Sequence, residues 1–120
     1  MSYDTNNIFA RILRGEIPCA KIYEDEHVLA FKDIRPQAKV HALVIPKGAY
    51  VSSQDFGEKA SAEEIVGLQR AISKIARELG VAETGYRVIA NAGPHSHQEV
   101  PHYHVHILGG QPIGKMVNLP

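Results

Sequence analysis

Cysteine is almost missing from this chain: Cys19 stands alone in 120 residues. A single thiol excludes an internal disulfide and any multi-cysteine zinc motif, and it suits a reducing compartment. Net charge is missing too, because thirteen basic residues balance thirteen acidic ones. No overall field draws the chain to nucleic acid or to an anionic membrane, so an anionic ligand has to be captured by a local arrangement. Long apolar runs are absent, none approaching the ~18 residues of a membrane span, and the opening "MSYDTNNIFARILRGE" is too polar for a secretory signal. A cytoplasmic location is expected. The ten glycines form neither a GxGxxG fingerprint nor a phosphate loop. With no repeat, low-complexity tract or linker, residues 1–120 are expected to form a single domain.

Helix and strand signals alternate in a simple order. "TNNIFARILRGEIP" predicts a short helix capped by Asn6 or Asn7, with Ile8, Ile12 and Leu13 as a partial apolar stripe and Gly15 near its end. "AKIYEDEHVLAFKDI" predicts two strands around a tight acidic turn, and "VHALVIPKG" a third strand stopped by Pro46 and Gly48. Residues 47–60 read as a polar surface loop. Ser61 and Glu64 form a capping box for a long helix whose core face is Ile65, Leu68, Ile72, Ile75 and Leu79, ended by Gly80. "GYRVIAN" predicts a strand, "AGPHSHQEVP" a loop, "HYHVHILGG" the last long strand, and "QPIGKMVNLP" has no regular period. Runs of adjacent strands broken by one long helix predict an α+β domain on an antiparallel sheet.

Histidine is abundant where cysteine is not. Seven occur in the chain, and His102, His104 and His106 sit on alternate positions of "PHYHVHILGG". Alternate residues of a strand share one face, so the three imidazoles form a row about 6.5 to 7 Å apart, with Tyr103, Val105 and Ile107 turned to the core. Three chemistries suit such a row. It can be a solvated or structural cluster. It can hold a metal, since imidazole is a common zinc ligand, although three ligands on one flat strand converge poorly on one ion. Or it can attack phosphorus, which needs a nucleophilic imidazole, a partner that fixes its tautomer, and donors around the phosphoryl oxygens.

"HYHVHILGG" resembles the signature of the histidine triad family, His-x-His-x-His followed by apolar residues. The branch it resembles is that of the histidine triad nucleotide-binding proteins, which hydrolyse nucleoside phosphoramidates. "NIFARILRGEIPCAKIYEDEHVLAFKDIRPQAKVHALVIPK" is similar to that branch's N-terminal half almost position for position, and "GYRVIANAG" and "QEV" lead into the triad at the usual spacing. The likeness runs over roughly residues 7–110 and implies a five-stranded antiparallel sheet with one short N-terminal helix and one long helix.

By resemblance, His104 is the nucleophile, passing through a nucleotidyl-histidine, with its other nitrogen donating to a nearby backbone carbonyl. His106 and His41 stand around the phosphate, and His102 is mainly a structural support. Asp33 is implied as acceptor from the ribose hydroxyls, with Ile34 beside it. Phe9, Ile12, Ile17 and Phe31 are implied walls around the base, and Asn91 a polar contact near the α-phosphate. The loop before the triad departs from the pattern. Where Gly-Gln and a small hydroxyl residue or Glu are common, this chain has His97, Gln98 and Glu99 ahead of Val100. His97 replaces a glycine close to the phosphate, so leaving-group preference is where this chain is expected to differ. An N-terminal Cys-x-x-Cys that holds structural zinc in some members is replaced around Ile8, Phe9, Ala10 and Arg11, so no structural zinc and no cofactor are expected.

The resemblance thus implies a purine nucleoside phosphoramidase acting on nucleoside monophosphate derivatives, and a homodimer that joins two sheets into one of ten strands. Two other functions fit the same motif: a dinucleoside polyphosphate hydrolase, and a nucleotide-binding regulator with only weak hydrolase activity.

Overall fold

Residues 28–31 and 42–46 are continuously apolar because helices and loops cover the sheet on both sides. The computed structural model describes residues 2–117 and residue 119. Its elements are α1 (Ile8–Leu13), β1 (Lys21–Glu24), β2 (Val28–Lys32), β3 (Val40–Pro46), α2 (Ser53–Lys59), α3 (Ala62–Glu78), β4 (Tyr86–Ile89) and β5 (Val105–Gly109), with a single 3-10 turn over Pro94–Ser96. The strands form one antiparallel sheet in the order β1-β2-β3-β5-β4. The expected α+β architecture is the one observed.

Strand period two sorts the core into two layers. Val28, Ala30, Ala42, Val44, Val105 and Ile107 face α3, which packs Leu68, Ala71, Ile72, Ile75 and Ala76 on them. The opposite face carries Leu29, Phe31, Leu43 and Ile45, covered by Phe9 of α1. α3 has the expected capping box, Ser61 accepting from the Glu64 amide while Glu64 accepts from the Ser61 amide. It ends at Gly80, whose φ of 78° is the left-handed geometry that favours glycine.

Four expectations need correction. Residues 47–60 are not all loop: α2 forms there because Phe56 is buried against the rings of Tyr50 and Tyr103. In α1 the buried residues are Phe9 and Ala10, while Ile8 is exposed. On α3, Ile65 lies beside the buried face and is exposed, and Ala71 and Ala76 complete that face instead. Finally, β5 starts at Val105, so His102 and His104 precede the strand and only His106 lies within it. The register explains this. Val44 pairs with Val105, so Pro46 would stand opposite Tyr103, and proline has no amide hydrogen for the ladder. The Pro46 carbonyl is taken by the His102 ring instead. The irregular tail is as read from the sequence as far as Val117, while Asn118 and Pro120 lie outside the described residues.

Candidate active site

Parity along three neighbouring strands gathers the polar residues of one face. Phe31 pairs with Leu43, and Leu43 with His106. His41 lies two residues before Leu43 and Asp33 two after Phe31, so both continue the α1 face beyond its apolar layer. His104 reaches the same side from the run-in to β5, its ring centroid 5.1 Å from that of His106 and 5.0 Å from that of Phe9. The row of three imidazoles expected on one side is therefore present, although two of its members are outside the regular strand.

Hydrogen bonds assign each ring one tautomer. His104 Nδ1 donates to the His102 carbonyl at 2.7 Å, which leaves Nε2 with its lone pair. That Nε2 has no partner among the described residues, and it opens on the cleft. His102 is fully buried; its Nε2 donates to the Pro46 carbonyl at 2.9 Å and its Nδ1 accepts from the Tyr3 hydroxyl. The Gln37 amide donates to His41 Nδ1 at 3.0 Å, so the His41 proton is on Nε2. His41 Nε2 lies 2.9 Å from His106 Nδ1 and 3.4 Å from Asp33 Oδ2. His106 consequently carries its own proton on Nε2, the nitrogen left for a ligand.

Burial favours the neutral form of all four rings. It pushes His102 down to about 4, against a smaller opposing pull from the Pro46 carbonyl. It does the same to His106, to about 4, helped by His104 and His41. His104 and His41 are also lowered by burial, with His104's bond to the His102 carbonyl and the Asp33 charge beside His41 opposing the shift. The site thus presents one unprotonated nitrogen beside an N–H donor.

Both face a cleft of about 610 Å³, within the usual range for small-molecule sites. Of the residues singled out in the sequence, Phe9, Ile12, Ile17, Phe31, Asp33, Ile34, His41, Asn91, His97, Glu99, Val100, His104 and His106 line it. Ile34 stands 87% exposed on its rim. Two do not line it. His102 is underneath, and Gln98 braces the loop, its Oε1 accepting from the Gly93 amide while Nε2 donates to the Val51 and Val100 carbonyls. The wall also includes Leu43, Cys19 and Ser96, which the sequence reading passed over. Leu43 was within reach of it, being on the same face as His41 by strand parity. Asp33, His41 and His106 each offer a ligand atom within 4.8 Å of the others. A cation there has to displace the His41 proton shared between His106 and Asp33.

The loop that closes the cleft carries one unusual backbone. His97 is the only non-glycine residue with positive φ among those described, at φ 60° and ψ 45°. Bonds from the His97 amide to the Pro94 carbonyl and from the Gln98 amide to the Gly93 carbonyl hold it there. Its ring Nε2 lies 3.3 Å from Glu99 Oε1.

An α+β sheet with a histidine-lined cleft against its N-terminal helix is the arrangement of a histidine triad protein. The chain belongs to the HIT domain family, whose model matches residues 14–113. It is 46% identical over 113 residues to the purine nucleoside phosphoramidase of Escherichia coli strain K12, covering 92% of each chain. An uncharacterised HIT-like protein of Azospirillum brasilense is 57% identical over 116 residues, covering 97% of this chain and 95% of that one. Among solved structures, a histidine triad protein from Clostridium difficile superposes with a TM-score of 0.86 at 42% identity, covering 97% of this chain and all of the other.

Proposed function

We propose that the chain hydrolyses purine nucleoside 5′-phosphoramidates, with His104 as nucleophile and a nucleoside 5′-monophosphate as product. The observation that carries this reading is the pairing at His104: Nδ1 bound to a carbonyl at 2.7 Å, Nε2 free in the cleft. Neutral imidazole of fixed tautomer is what covalent catalysis on phosphorus needs. The likeness to the Escherichia coli phosphoramidase supports the choice of the P–N bond.

In the first step Nε2 of His104 bonds to phosphorus and the P–N bond to the amine breaks. The electron pair goes to the amine, which takes a proton from water at the cleft mouth. The Nδ1–H bond to the His102 carbonyl spreads the positive charge that the ring gains. His106 Nε2–H, oriented through His41 and the Gln37 amide, donates to a phosphoryl oxygen as its charge grows. In the second step water attacks phosphorus, the bond to His104 breaks and its electron pair returns to Nε2, while the proton of the attacking water goes back to solvent. The sum is one water consumed, one amine and one nucleotide released. No step of this route calls on a metal or cofactor. Asp33 takes the ribose hydroxyls, and the base lies among Phe9, Ile12, Ile17 and Phe31.

The test is AMP release from an adenosine 5′-phosphoramidate, resolved by chromatography. We expect turnover by the wild type and a loss of roughly a thousandfold or more in His104→Ala. Equal turnover by the two proteins would falsify the assignment. Preference for a diadenosine polyphosphate over the phosphoramidate would move the substrate class.

A homodimer is part of the same reading, with a second copy covering β4. Among the described residues no helix is long and apolar enough to cross a membrane, which is compatible with the proposed cytoplasmic setting.

A further inference from the structure

The cleft divides into three stretches by chemistry. One is apolar, walled by Phe9, Ile12, Ile17, Phe31 and Leu43. The second holds Asp33, His41, His104 and His106, joined by the contacts described above. Lys32, Arg35 and Gln37 flank Asp33 in the chain and line the cleft beside it, and a third stretch holds Asn91, Ser96, His97 and Glu99. If base, ribose and phosphate occupy the first two stretches, the third is left for the group that departs from phosphorus.

Only two carboxylates line the cleft, and their situations differ. Asp33 belongs to the second stretch, where Oδ1 accepts from the Arg35 amide at 2.8 Å and Oδ2 faces His41. Glu99 touches one polar partner among the described residues, His97 Nε2 on Oε1, and its side chain is 76% exposed. Its second oxygen has no partner among the described residues. Its charge reaches both His104 and His106, opposing the burial that lowers them. A carboxylate so placed attracts a cation and repels an anion arriving with the substrate. The left-handed backbone at His97 is a conformation unfavourable for a residue with a side chain, and the imidazole it carries lies with Nε2 3.3 Å from Glu99 Oε1. Backbone cost of this kind, held in place by neighbouring bonds, is found at sites that use it.

We infer that Glu99, positioned by His97, forms a leaving-group subsite that selects amines bearing a second positive charge. This rests on the phosphoramidase reading and adds the class of amine. An alkylamine with a distal ammonium gains from Glu99 Oε2, a plain alkylamine gains nothing, and one with a distal carboxylate is disfavoured.

Three adenosine 5′-phosphoramidates that share an alkyl spacer and end in ammonium, methyl or carboxylate test this directly. At low ionic strength the wild type should favour ammonium over methyl, and methyl over carboxylate, by about threefold at each step in kcat/KM, the scale of an exposed ion pair. Added salt should shrink both ratios toward one. Glu99→Gln should collapse them, and Glu99→Lys should reverse their order. His97→Gly should lose part of the discrimination, and His97→Asn, which tolerates the left-handed backbone and can donate to Glu99, should recover it. Wild-type ratios of one, or ratios that Glu99→Gln leaves in place, overturn the subsite. If none of the three is turned over, the phosphoramidase reading fails instead. Calorimetric affinities of the same compounds for His104→Ala then decide the subsite separately: the same Glu99-dependent order sustains it, and equal affinities remove it.

Discussion

His102 makes the case for how single residues hold this site. Its ring is fully buried, bonded on one nitrogen to the Pro46 carbonyl and on the other to the Tyr3 hydroxyl, while its own carbonyl accepts from His104. Burial disfavours a charged imidazole in that place and pushes its titration down to about 4. His104 and His106 are shifted the same way. The sign for activity follows. The proposed nucleophile must be unprotonated, and burial lowers the pH at which it takes a proton. We therefore expect the acid limb of kcat/KM to lie below the ordinary imidazole range near ~6.5. Rate measurements paired with circular dichroism at each pH check this, and an acid limb centred at or above that range in folded protein contradicts it. Little of this arrangement was legible beforehand. Alternation in "HYHVH" told which side the rings take, but the acceptors of their protons come from residues as distant in sequence as Pro46 and Gln37.

At the scale of elements, legibility depended on how many residues carry the signal. α3 announces itself through a capping box, repeated apolar spacing and a closing glycine. α2 rests on one anchor, Phe56, and seven residues with a single buried side chain have no period to read. β5 is shorter than its sequence predicts because alternation continues through His102 while the ladder cannot pass Pro46. The loop over residues 93–98 is the element where sequence and geometry meet most directly. A histidine stands where the resemblance led us to expect glycine, and its backbone adopts the conformation glycine would hold more easily. His97→Gly should accordingly raise the unfolding free energy by about 0.5 to 1 kcal/mol. His97→Ala should give no such gain, because the alanine keeps the same steric conflict. Urea titrations of the three proteins read this out, and a destabilised glycine variant would show that the His97 side chain contributes more than its backbone costs.

The whole molecule spends its two sheet faces unequally. The α1 face is closed by its own apolar layer and carries the cleft. The α3 face is incompletely covered. Val88 pairs with Ile107 across β4 and β5, so its side chain projects to the side where Ile107 is wholly buried, yet Val88 is 47% exposed. Tyr86 lies on the same side of β4, and Ile65 and Val66 of α3 are exposed as well. β4 is also a sheet edge whose outer hydrogen-bonding groups are unpaired among the described residues, whereas the opposite edge, β1, bears the ion pair of Lys21 with Glu24 and a second from Lys47. Charge protects an edge from association and apolar side chains invite it. A second copy related by a two-fold axis would cover the patch and extend the sheet in one step. Sedimentation velocity at low micromolar concentration should give twice the chain mass for the wild type. Val88→Glu should sediment as the single chain while keeping its circular dichroism, because the residue is not part of the buried core. A wild type that sediments as a monomer, or a Val88→Glu protein that still pairs, removes the β4 edge as the interface.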